Sequence, residues 1–334
     1  VGTTLSFTWS APAGADHYEA KFDTGSYINI GNVTIYTTIS TLPDGSHTFY
    51  VRALDGAGNA SPAASLSFIS DATPPTSPTN LAKTTPDNNK YPSFSWTAAS
   101  DATTGIASYK ARFDSAVFSD IGKVTGYSAT NSLSDGSHTF EVKAVDVVGN
   151  EGLAASLSFV IDTTSPGAPG APTINPASPS ANAKPTFSWT AATDATSGVA
   201  AYEVRVDGTD TSFANIGNVL AYSISVSISD GAHTFYVRAA DGAGNKGLAA
   251  TLSFTIDTTP PTMPTGLAKT TPDNNYKPTF TWSASLDTTS GIDYYLVRVD
   301  AASFTNIGNL TSYTFTSNLS EGAHTFEVKA VDKA

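Results

Sequence analysis

The chain has 334 residues, with 17 Lys and Arg against 29 Asp and Glu for a formal charge of -12, five His and no Cys. With no basic stripe, a phosphate backbone has nothing to bind, which excludes nucleic acid as a partner. The missing Cys excludes disulfide scaffolding, thiolate metal centres and thiol nucleophiles.

The predicted elements recur along the chain. Trp stands at Trp9, Trp96, Trp189 and Trp282, separated by 87, 93 and 93 residues, and four of the five His stand at His47, His138, His233 and His324, separated by 91, 95 and 91. The repeat is therefore about 93 residues, and the chain holds a little over three and a half of them. Within a copy the apolar spacing is two, the period of a strand with one buried face. In the third copy Phe187 and Trp189 alternate first, then Tyr202, Val204 and Val206, then Phe235, Val237 and Ala239, and last Leu252, Phe254 and Ile256. Turns rich in Gly, Asn, Asp and Pro separate these runs, and none has a helical period. Seven short strands in a copy of this length predict an all-β, two-sheet sandwich.

The joints recur as well. Asp71 to Pro75, Asp162 to Pro166 and Asp257 to Pro261 each follow a last strand, and their prolines stop that strand from continuing into the next ladder. Short proline joints predict a stiff, elongated array. The expected domains are residues 1–70, lacking a first strand, 71–162, 163–257, and 258–334, lacking a last strand. The region from Gly167 to Ala183 is expected to carry an irregular first strand. The two incomplete copies read as a window on a longer chain, or as ends completed by a neighbouring copy. No apolar run approaches the roughly 18 residues of a membrane span, and no basic-then-apolar signal segment opens the chain.

The repeat resembles the fibronectin type III-like and bacterial immunoglobulin-like repeats of bacterial extracellular surface proteins. The Trp of the second strand carries the likeness, with Leu42 and Phe49, Leu133 and Phe140, Ile228 and Phe235, and Leu319 and Phe326 around the turn into the sixth strand. The D-x-x-G-N segments and the D-T-T-P-P joint resemble those of adhesins and of cell-wall or S-layer-associated proteins. The resemblance implies tandem sandwich domains in an extracellular or cell-surface setting, and it covers nearly the whole chain.

Chemistry is sparse. No hydrolase, kinase or dinucleotide motif is present, and Asp241 to Asn245 lacks the Lys and the helix of a phosphate loop. The recurrent Asp and His stand in the same structural slots of every copy, whereas a catalytic site occurs once, so the expectation is that the chain is not an enzyme. The four recurrent His are assigned a structural role against the preceding Asp-Gly turn, and His17 a surface position.

A cation is the sharper expectation. In a sandwich of this topology the joint, the loop after the second strand and the loop before the last strand meet at one end. At the first joint this gathers Asp71, Asp101, Asp146 and Asn150, at the second Asp162, Asp194, Asp241 and Asn245, and at the third Asp257, Asp287 and Asp332. An all-oxygen set of this kind suits Ca²⁺ and no soft metal. The competing reading is that these Asp residues cap turns by accepting backbone N–H groups.

Sequons stand at Asn32, Asn59, Asn309 and Asn318, and exposed Ser and Thr faces permit O-linked sugar. Phe118, Phe213 and Phe304, with Tyr27 in the same slot, and Tyr36, Tyr127, Tyr222 and Tyr313 recur at fixed offsets, so they are read as core or loop anchors. The main functional reading is a stalk, filament or sheath segment of a bacterial extracellular protein. The alternatives are adhesin or carbohydrate-binding repeats, or accessory domains of a secreted polysaccharide-active enzyme. The partners expected are neighbouring repeats of the same chain, with self-assembly or a cell-surface glycan as further candidates.

Overall fold

The computed structural model describes residues 4–39, 41–209 and 212–334. They form two compact units, Val1–Thr163 and Thr164–Ala334, with two repeats in each.

The first repeat contains β1 (Ser6–Thr8), β2 (His17–Phe22), β3 (Ile28–Gly31), β4 (Ile35–Thr37), β5 (Gly45–Leu54) and β6 (Ala64–Ser70). The second contains β7 (Thr79–Lys83), β8 (Ser93–Thr97), β9 (Ile106–Phe113), β10 (Ser119–Gly122), β11 (Gly126–Ser128), β12 (Gly136–Asp146) and β13 (Ala155–Ile161). The third contains β14 (Thr173–Asn175), β15 (Thr186–Ser188), β16 (Val199–Val206), β17 (Ala214–Asn215), β18 (Ala221–Ser223), β19 (Gly231–Asp241) and β20 (Ala250–Ile256). The fourth contains β21 (Thr265–Lys269), β22 (Thr279–Ser283), β23 (Ile292–Val299), β24 (Thr305–Asn306), β25 (Ser312–Thr314) and β26 (Phe326–Asp332). No helix of the described residues is long and apolar enough to cross a membrane.

In the second repeat one sheet has the order β11-β8-β7 and the other β10-β9-β12-β13, and the third repeat has the same two sheets. All pairs are antiparallel. The first repeat has two strands in the smaller sheet and the fourth has three in the larger, among the described residues. The irregular first strand expected between Gly167 and Ala183 is the three-residue β14, interrupted afterwards by Pro176 and Pro179, which cannot donate to a ladder.

The alternation read from the sequence becomes the core. Phe140 and Val142 of β12 are fully buried, and so are Phe235, Val237 and Ala239 of β19. Between the sheets the aromatic opening the second strand stacks on the one after the recurrent His: Phe7 on Phe49 at 4.2 Å, Phe94 on Phe140 at 4.2 Å, Phe187 on Phe235 at 4.0 Å and Phe280 on Phe326 at 4.0 Å. Trp96 packs at a tilt on Tyr109, with ring centroids 5.6 Å apart, and the Trp–Tyr pair recurs in every copy. Phe159 and Ile161 of β13 are buried, whereas their counterparts in β6 of the first repeat are the half-buried Phe68 and Ser70.

One departure from regular pairing bears on the joints. Between β9 and β12 the ladder slips, so that Val145 faces Ser108 while Asp146 faces Ile106. The same slip leaves one residue over opposite Asp241 in the third repeat and opposite Asp332 in the fourth. The first repeat, with β2 paired to β5 without a slip, has no such bulge. A bulge re-aims the side chains beside it, and here it sits under the Asp that ends the sixth strand.

Candidate metal centre at the domain joints

At the first joint three segments deliver carboxylates to one place: Asp71 from the joint, Asp101 from the loop after β8 and Asp146 from the end of β12, opposite the bulge in β9. One oxygen of each lies within 4.8 Å of the others, and Asp71 and Asp146 are buried. The third joint repeats this with Asp257, Asp287 and Asp332.

Each carboxylate is also built into its own turn. Asp101 Oδ1 accepts the amides of Thr103, Thr104 and Gly105 at 3.1, 2.9 and 2.9 Å. Those bonds, with Thr104 first, hold its carboxyl below the ordinary range despite partial desolvation. Asp146 Oδ1 accepts Val148, Gly149 and Asn150 at 3.0, 2.7 and 2.8 Å. Asp71 accepts the Thr73 amide and, at 2.5 Å, the Thr104 hydroxyl. Asp287 Oδ1 accepts Thr289, Ser290 and Gly291, which hold it low, the Gly291 bond foremost. Asp257 takes the amides of Thr259 and Ser290, and Asp332 that of Ala334. The turn-capping geometry is thus present at every one of these positions.

The first repeat separates capping from clustering. Asp55 accepts the amides of Ala57 and Asn59 and the Asn59 side-chain amide, all at 2.9 Å, and forms the same turn in no carboxylate cluster of the described residues. The loop after Trp9, Ala11 to Asp16, is shorter than the matching loop of the other copies.

Does the donor set suit a cation? No ion pair of the described residues includes Asp71, Asp101 or Asp146, so three like charges face one another without a protein cation. A carboxylate oxygen keeps a free lone pair after accepting one N–H group, and three carboxylates form a hard, all-oxygen set. Asn150, expected as a ligand, gives its side-chain N–H groups to the Asp71 carbonyl and to Asp146, at 3.1 and 2.7 Å. Asn245 does the same to Asp241 at 2.8 Å. Asp194 caps the amides of Thr196, Ser197 and Gly198, and the Asp162 amide donates to Asp87.

The remaining recurrent residues are structural. His138 presents Nδ1 to Asp114 and Nε2 to the Ser134 carbonyl, both at 2.9 Å. The expected role against the Asp-Gly turn thus has a partner not anticipated: the Asp that ends the third strand in left-handed backbone, at Asp23, Asp114, Asp207 and Asp300. Its signal was in the sequence, since F-D or V-D ends that strand in all four copies. The Asp-Gly turn holds something else. Asp135 accepts the Thr163 amide at 3.0 Å and its hydroxyl at 2.9 Å. Asp230 holds Thr258 and Thr259 in the same way, and Asp44 holds Ala72 and Thr73.

Phe118 lies between Arg112 and Lys143, Phe213 beside Arg205 and Arg238, Phe304 between Arg298 and Lys329, and Tyr27 under Arg52. These anchor the outer face of the larger sheet by cation–π contact, while Tyr36, Tyr127, Tyr222 and Tyr313 pack against the cores. The four sequon asparagines are exposed.

Residues 82–163 and 180–258 each match the bacterial Ig-like domain family. Among curated proteins, 281 residues are 31% identical to exoglucanase B of Cellulomonas fimi, covering 79% of this chain and 25% of that protein. Exoglucanase A of the same organism is 32% identical over 80% of this chain and 31% of its own length. Chitinase A1 of Niallia circulans is 38% identical over 39% of this chain and 20% of its own length. The chain thus spans a third or less of each of these relatives.

Proposed function

We propose that this chain, a tandem array of immunoglobulin-like and fibronectin type III-like β-sandwich domains of bacterial extracellular type, serves as the non-catalytic accessory region of a polysaccharide-active enzyme. The observation that carries this is similarity along about four-fifths of the chain to limited parts of two exoglucanases. It favours the accessory reading over a free-standing stalk or filament, and the domains themselves are of a non-catalytic class. In this reading the domains are residues 1–70, 71–162, 163–257 and 258–334, and their task is to hold distance and orientation between functional parts.

Depletion onto insoluble cellulose and chitin, with released sugar measured in the same tubes, tests this. The expected outcome is that the chain stays in the supernatant and releases nothing. Saturable depletion would make these carbohydrate-binding repeats, and released sugar would end the non-catalytic reading.

We further propose that Ca²⁺ is held at the first and third joints by Asp71, Asp101 and Asp146 and by Asp257, Asp287 and Asp332. Asn150 then acts as a prop that holds the Asp146 carboxylate and the Asp71 carbonyl. A bound cation would offset the mutual repulsion of the three carboxylates and tie joint, loop and strand end together. Thermal unfolding in EDTA and after Ca²⁺ is restored decides it. The midpoint is expected to rise with Ca²⁺, and to rise less in the Asp71→Asn, Asp257→Asn double variant. An unchanged midpoint in the parent chain leaves these residues as turn caps alone.

A further inference from the structure

His47, His138 and His233 each sit beside a turn whose next residue holds a joint. In the second repeat Asp114 takes His138 Nδ1 and the Thr139 amide, His138 Nε2 meets the Ser134 carbonyl, and the next residue, Asp135, holds the Thr163 amide and hydroxyl. In the first, Asp23, His47 and the Pro43 carbonyl precede Asp44, which holds Ala72 and Thr73. In the third, Asp207, His233 and the Ser229 carbonyl precede Asp230, which holds Thr258 and Thr259.

Both ring nitrogens in each clamp face acceptors only, a carboxylate and a carbonyl. Both bonds form together only when both nitrogens carry hydrogen, which is the imidazolium. A neutral ring leaves one acceptor facing a lone pair, and the turn bearing the joint-holding Asp loses its tether.

We propose that protonation of His47, His138 and His233 sets how firmly the Asp-Gly turns hold the joints, making joint anchoring a pH-responsive property of the array. Burial works against the charged form at His138 and His233, but the bonds to Asp and carbonyl outweigh it and raise both; at His47 the Asp23 bond is the leading cause.

The surroundings of each ring are few. Phe68, Phe159 and Phe254 cover the three rings, with centroids at 5.9, 5.8 and 5.5 Å. The Lys83 ammonium, paired with Asp87, lies over the Phe159 ring, and Arg205 acts on Asp207. His324 has the same clamp on Asp300 and the Ser320 carbonyl, beside an open pocket of about 490 Å³ lined by Lys269, Asp273, Tyr276 and Glu321.

Amide exchange of the full chain, followed by NMR from about pH 5 to about pH 8, the range of histidine titration, tests the proposal, with EDTA present throughout so that a joint cation plays no part. Exchange at Ala72, Thr163 and Thr258 is expected to accelerate across this range more than at the core amides of Phe140 and Phe235. Asp114→Asn keeps a side chain suited to left-handed backbone and an acceptor for Thr139. It is expected to abolish the excess pH dependence at Thr163 while leaving that at Ala72 and Thr258, with Phe140 protection reporting that the domain stays folded. If the joint amides track the core amides over the whole range in the parent chain, or if Asp114→Asn leaves the Thr163 profile unchanged, the proposal fails.

Discussion

The buried hydroxyl beside each recurrent Trp shows how one residue changes the bonding of an otherwise repeated core. Tyr109, Tyr202 and Tyr295 accept the amides of Ala99, Ala192 and Ser285 at 2.9, 2.8 and 2.7 Å. In the first repeat the corresponding residue, three after Trp9, is Pro12, which has no N–H, and the Tyr18 hydroxyl has no partner among the described residues. Removing one partner of a buried bond costs about 1 kcal/mol, whereas removing an unpaired hydroxyl costs little. Tyr109→Phe is therefore expected to destabilise its domain by about 1 kcal/mol in denaturant unfolding, and Tyr18→Phe to leave its domain unchanged or slightly more stable. Gly152 is a second single-residue determinant. A Cβ there would lie 2.5 Å from the Pro75 carbonyl oxygen, and one on Gly247 would lie 2.5 Å from that of Pro166. Because the clash is with backbone, Gly152→Ala is expected to cost about 1–3 kcal/mol and to speed amide exchange at Thr76, which donates to the Ser100 carbonyl.

Among the elements, the outer face of the larger sheet carries a charge exchange. In the second repeat Glu151 receives Lys110 at 2.6 Å and Lys143 at 2.5 Å. At the corresponding place in the third repeat Lys246 reaches Glu203 at 2.8 Å, with Arg238 on the same carboxylate. The residue after the D-x-x-G-N turn thus changes sign together with its partner on the third strand. Glu151→Lys would place a third cation beside two, and a lower thermal midpoint is expected; adding Lys110→Glu to it rebuilds the third-repeat arrangement and is expected to restore most of the loss. The bulge belongs to the same scale. The second and fourth copies have it and gather joint carboxylates, while β2 and β5 of the first pair without a slip. The sequence hint was the longer loop of those copies, but a slip of one residue in a ladder leaves no mark in an alternating pattern of this length.

For the array as a whole the repeated clamps set a pH range of greatest stability. The His pKa is raised, so its contribution is complete below the ordinary value of 6.5 and is lost as pH rises through the higher folded value. The Asp partners are lowered: Asp23 and Asp300 chiefly by their His bonds, Asp114 and Asp207 by the same bonds against an opposing burial effect. Their contribution is complete above the ordinary value of 3.8 and is lost as pH falls through the lower folded value. The thermal midpoint is expected to be highest between these limits and to fall on both sides. Replacing all four clamp His by Gln should flatten the alkaline side while leaving the acid side, carried also by Asp101 and Asp287. A midpoint that stays level across the histidine range in the parent chain would overturn this.

Period-two alternation, Gly and Pro punctuation and the spacing of Trp and His determined the sandwich, the repeat and the segments that bring Asp to the joints, because burial on one face of a strand and the limits on Gly and Pro are local properties that repeat with the chain. Only the tertiary structure decided which partner each polar residue takes. The His met an Asp 24 to 26 residues earlier, the turn Asp closed on a joint 28 residues later, and the Asn150 side-chain amide found the Asp71 carbonyl and the Asp146 carboxylate. A polar side chain's partner depends on ladder register and on how loops from distant strands converge, and neither is a property of the residue or of its neighbours in sequence.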